Sequence, residues 1–89
     1  MNDEMARIRA VKAAHEAELM RKANVVGVGI GLRQRDGKYT GELALIVSVT
    51  RKVPPEELDA EDLVPQEIDG VPVDVQAVGM LRALKVMAS

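Results

Sequence analysis

The sequence predicts an α+β fold: an amphipathic N-terminal helix, a small antiparallel sheet of about four strands, and a short C-terminal helix. Three observations lead there. Apolar residues recur at helical spacing over residues 3–23. The period then drops to two over residues 25–34, 41–52 and 71–78. The dipeptides Asp36-Gly37 and Asp69-Gly70 separate apolar runs in the manner of hairpin turns. With 89 residues the chain has the length of one domain. We divide residues 1–89 into a helix (3–23), a β-rich module (24–79) and an amphipathic tail (80–89).

Asn2 or Asp3 can cap the helix, and Asp3 and Glu4 suit its positive end. Met5, Ile8, Val11, Ala14 and Leu19 form its apolar stripe, and frequent alanine keeps the rod slim. Asn24 is a stop signal. In the first strand Val26, Val28, Ile30 and Leu32 point one way, while Val25, Gly27, Gly29, Gly31 and Arg33 point the other. Three alternate glycines weaken a strand, so the pattern predicts an element packed close against that face.

Residues 41–52 are the most apolar strand. Leu43, Leu45, Val47 and Val49 line one face, and Ala44, Ile46, Ser48 and Thr50 the other, as in a central strand. Pro54-Pro55 ends it. Residues 53–65 read as a loop with one or two short helical turns, Pro55 opening the first. In 71–78, Val71, Val73, Val75 and Ala77 point inward, and Pro72 argues for an edge strand or a start near an edge. Leu81, Leu84 and Met87 give the tail an apolar side, set against Arg82 and Lys85. A helix that short needs a surface to dock on.

The core is aliphatic, because the chain has no Phe, no Trp and one Tyr. Aromatics supply much of the buried area in most cores. A small domain without them gains by burying a further face against a partner. The net charge of −2, with a single aromatic residue in the whole chain, argues against nucleic acid as a partner. No apolar run approaches a membrane span, and the acidic start lacks the features of a signal peptide, so the cytoplasm is the expected compartment.

Catalytic and cofactor signals are absent. Gly27-Val28-Gly29-Ile30-Gly31 lacks the spacing of a nucleotide-binding loop and lies inside a strand. With one His and no Cys, the chain cannot build a transition-metal site of the usual kind. The acidic residues at 56–62 lack the calcium-loop pattern. Ser48 and Ser89 are the only serines, and neither has a visible base or orienting carboxylate. We therefore expect no enzyme activity, no catalytic residues, no cofactor and no metal.

A composite pattern runs through the β-rich module. Its pieces are Asn24-Val25-Val26-Gly27-Val28-Gly29, Gly41-Glu42-Leu43-Ala44, Arg51-Lys52-Val53-Pro54, Asp62-Leu63-Val64-Pro65 and Ile68-Asp69-Gly70-Val71-Pro72-Val73-Asp74-Val75. Over residues 24–79 it resembles the short N-terminal module that precedes trypsin-like peptidase domains in some bacterial proteins. No Gly-Asp-Ser-Gly segment or catalytic histidine loop follows, so no catalytic role carries over. The resemblance implies an accessory module with a helix added before it and another after.

Two functions are weighed. The first is a structural or assembly subunit that acts through protein–protein contact, pairing with itself or joining a larger assembly. Its expected contact residues are Ile8, Val11, Gly27, Gly29, Gly31, Leu81, Leu84 and Met87. The second, implied by the resemblance alone, is a regulatory or pro-domain-like partner of a separate trypsin-like peptidase.

Overall fold

The computed structural model describes residues 3–78. Helix α1 spans Asp3–Met20, followed by strands β1 (Val25–Arg35), β2 (Lys38–Val49), β3 (Glu67–Ile68) and β4 (Val71–Ala77). The four strands form one sheet in the order β1-β2-β4-β3. This is the expected α+β architecture. The predicted helix at 80–87 lies outside the described residues.

Helix α1 stops at Met20, three residues short of expectation. The chain turns through Arg21 and Lys22, whose N–H groups donate to Glu18 O (3.2 Å) and Leu19 O (3.1 Å). Asn24 then takes φ 70°, a left-handed conformation that asparagine tolerates. Its carbonyl accepts from Thr50 N at 2.9 Å, which ties the entry of β1 to the exit of β2.

Both hairpin turns fall where expected. Asp36 and Gly37 have φ 53° and 79°, and Asp69 and Gly70 have φ 50° and 82°. Two successive positive φ values match the right-handed twist of the flanking strands. The first turn joins β1 to β2 and the second joins β3 to β4, both antiparallel.

The sheet is mixed, which corrects the antiparallel expectation. β4 runs parallel to β2, from Leu45↔Val73 to Val49↔Ala77. A parallel neighbour needs a long connection. Residues 50–70 provide it, with 3-10 turns at Pro55–Glu57 and Ala60–Asp62 and with β3 on the way. Pairing with β2 begins one residue after Pro72, so the missing N–H of that proline costs no bond to β2. β3 lies outside β4 but reaches only Val71 and Pro72.

The core lies between α1 and one sheet face. Ile8, Val11 and Leu19 pack with Leu45, Val47, Val49, Val71 and Val73. A register shift between Val25 and Gly27 corrects the predicted facing of β1. It brings Val25 to the helix side, where it packs on the core with Val28 and Ile30. A second shift, between Leu32 and Gln34, falls opposite Gly41, whose φ is 87°.

Candidate functional site

Helix α1 packs on one face of the sheet, and a second row of residues occupies the other. Gly27, Gly29 and Gly31 of β1 stand there beside Ser48, Ile46 and Ala44 of β2, and Asp74 and Gln76 of β4 extend the row. The glycines are not packed against a cover. A Cβ at Gly29 would meet nothing within 4 Å, and one at Gly27 would meet only the Ser48 Cβ at 3.8 Å. At Gly31 the nearest atom is Cγ1 of Ile46, 3.2 Å away on the neighbouring strand. The expected close-packed element is absent among the described residues.

The direction of the backbone groups explains how part of this face is nonetheless closed. Val78 N donates to Val49 O at 2.8 Å, so the peptide groups of Val49, Val47 and Leu45 point to β4. Those of Ile46 and Ser48 then point to β1, where they meet Gly29 and Gly27. The peptide groups of Val28, Ile30, Leu32 and Gln34 consequently point away from β2, along the outer edge of β1.

At the far end of that edge two side chains from β4 take over. Asp74 Oδ2 accepts from Gln34 N at 2.8 Å, and Gln76 Nε2 donates to Leu32 O at 3.0 Å. Gln76 also donates to Asp74 Oδ2 at 2.9 Å, which locks the pair. The sheet therefore rolls, and the end of β1 comes over β4. Ala44 beneath is wholly buried. The stretch of β1 edge around Val28 and Ile30 has no such closure among the described residues.

The helix corner is held from the connection. Asp62 Oδ1 accepts from Ala23 N at 3.0 Å, and Lys22 Nζ donates to Glu61 O at 2.7 Å. Between this connection and β4 lies a recess of about 370 Å³, lined among others by Val53, Leu58, Val64, Arg51 and Lys52. Elsewhere, His15 Nε2 lies 3.8 Å from Asp69 Oδ2. Ser48 is on the glycine face, opposite Gly27. No cluster that could hold a metal occurs among the described residues.

Residues 2–80 match the model of the Narrow Leaf 1 N-terminal domain. The chain belongs to that family. This overturns the expected bacterial module that precedes trypsin-like peptidases, and the bacterial origin expected with it. The family's domain starts at residue 2, so α1 belongs to it and is not an addition to a module beginning at residue 24. No curated protein matches the chain.

The predicted contact residues divide three ways. Ile8 and Val11 are 1% and 4% exposed and serve the core. Gly27, Gly29 and Gly31 line the open face. Leu81, Leu84 and Met87 lie outside the described residues. Asp74 and Gln76, which close the roll, were not expected, because their partners are 40 and 44 residues away in sequence.

Among the described residues no helix is long and apolar enough to cross a membrane.

Proposed function

We propose that this domain is a non-enzymatic assembly subunit that acts through protein–protein contact and associates with itself. The observation that supports this best is the half-covered sheet. One helix serves one face, while on the other face a side chain added at Gly29 would meet nothing within 4 Å. Exposed Met20 at the end of α1 and Leu32 on β1, 42% and 39% accessible, add apolar surface. An aliphatic core of this size leaves a small margin of stability, and a partner that covers apolar surface enlarges it. The working compartment we propose is the cytoplasm, which suits a chain without disulfides. The peptidase-partner alternative had only the overturned resemblance behind it. Molecular mass by light scattering tests the proposal. Dimers or larger species are expected at tens of micromolar, and a monomer there and at hundreds of micromolar ends it.

A further inference from the structure

We infer that two copies pair across the outer edge of β1, antiparallel, with their α1 helices side by side over the seam. This rests on the self-association proposed above and assigns its surface. Monomeric proteins blunt long edge strands with charge, proline or a covering element. Residues 25–32 of β1 contain neither charge nor proline. The other side of the sheet is blunted by the two-residue β3, by Pro72 and by Asp74. The open peptide groups of β1 centre on Val28, since Asp74 and Gln76 occupy those of Leu32 and Gln34.

The helix flank above this edge is complementary to itself. Arg7 lies against Gly70 and His15 against Asp69, so that side of α1 faces the β3–β4 turn. At 100° per residue, positions 5, 9, 12, 16 and 20 fall on the opposite flank, over β1. They are Met5, Arg9, Lys12, Glu16 and Met20: apolar ends, cations in the first half, an anion in the second. Lys12 Nζ and Glu16 Oε1 already pair at 3.0 Å within the chain. A twofold axis near Val28 runs the two helices antiparallel. In this pairing the axis passes level with residue 14 of α1, so that Lys12 faces Glu16 of the partner subunit, and Glu16 faces Lys12 of the partner subunit.

The size suffices. The 18-residue helix is about 27 Å long. A strand-plus-helix flank of that length presents roughly 500 Å² per copy, or ~1,000 Å² in all, at the lower limit of a specific interface. The dimer is therefore expected to be concentration-dependent.

Two exposed charge reversals test the pairing. In Glu16→Lys the flank carries only cations, and in Lys12→Glu its central pair is anionic. Each variant alone loses the Lys12–Glu16 contact both within the chain and across the seam. Each is expected to dissociate at least tenfold more readily than the parent, with helical circular dichroism retained. Mixing the two restores opposite charges across the seam only, so the mixture should recover association. Hydrogen exchange locates the strand half: the Val28 and Ile30 amides should slow as concentration rises, and stay fast in either variant alone. If the parent associates but the mixture does not recover, or those amides ignore concentration, this inference falls and the assembly reading stands. If the parent stays monomeric at hundreds of micromolar, both fall.

Discussion

Glycine is the residue whose behaviour here departs most from what its pattern suggests. Alternate glycines in β1 read as a sign of close packing, yet the space above Gly29 is empty. Its φ is not in the left-handed region, so a side chain is tolerated by the backbone as well. Glycine in a strand costs conformational entropy and forgoes packing. Gly29→Ala and Gly29→Val are therefore expected to stabilise the fold, by about 0.4–1 kcal/mol in a thermal or urea melt. A loss of more than 1 kcal/mol would mean that a cover lies on this face after all. The contrast is Gly37, where φ is 79° in a two-residue turn. Gly37→Ala is expected to cost about 1 kcal/mol, because an L side chain is strained there. Gly31→Ala should gain less than Gly29→Ala, since its Cβ presses on Ile46 and that side chain must give way.

Strands and their connections show which kind of information a single sequence carries. Helix α1 and the two Asp-Gly turns are encoded by residues within a few positions of each other, and they form where expected. Val71, Val73, Leu45 and Val47 were legible as core from their alternation. The parallel pairing of β2 with β4 was not, because it brings Leu45 against Val73 across 28 residues and leaves no local trace. The shifts at Val25/Gly27 and Leu32/Gln34 escaped for a related reason. A strict period of two assigns Val25 to the wrong face as soon as one extra residue enters. The roll of the sheet depends on one carboxylate that accepts two hydrogen bonds, from Gln34 N and Gln76 Nε2. Asp74→Ala is expected to destabilise the domain by about 1–3 kcal/mol, since Gln34 N then loses its acceptor in a partly buried place. In an NMR spectrum the Gln34 amide should move and exchange faster, with β2–β4 pairing unchanged. An unaltered Gln34 amide would show that the roll does not depend on Asp74.

Taken as a whole, the molecule is a thin two-layer structure whose stability is tied to concentration if it associates. A chain of 89 residues without Phe or Trp draws on Val, Leu, Ile and Ala for its buried area. Among the described residues the buried core comprises eight clustered side chains, of which Leu45 and Val47 are inaccessible to solvent. Leu45→Ala is expected to cost about 2–5 kcal/mol, a large share of what a domain this small has to lose. Association acts in the opposite sense through mass action, because a second copy binds the folded chain and not the unfolded one. Once most chains are paired, a tenfold rise in concentration adds about 1.4 kcal/mol per dimer, or ~0.7 kcal/mol per chain. For a domain of this length, 1 kcal/mol corresponds to roughly 4–8 °C in Tm, so each tenfold step should raise Tm by about 3–6 °C. Differential scanning calorimetry from tens of micromolar to millimolar reads this directly. The Glu16→Lys variant should show a flatter dependence, because its dimer forms only at higher concentration. A Tm that stays constant over two decades for the parent chain would mean that folding and association are not linked, and that the half-covered sheet is stable on its own.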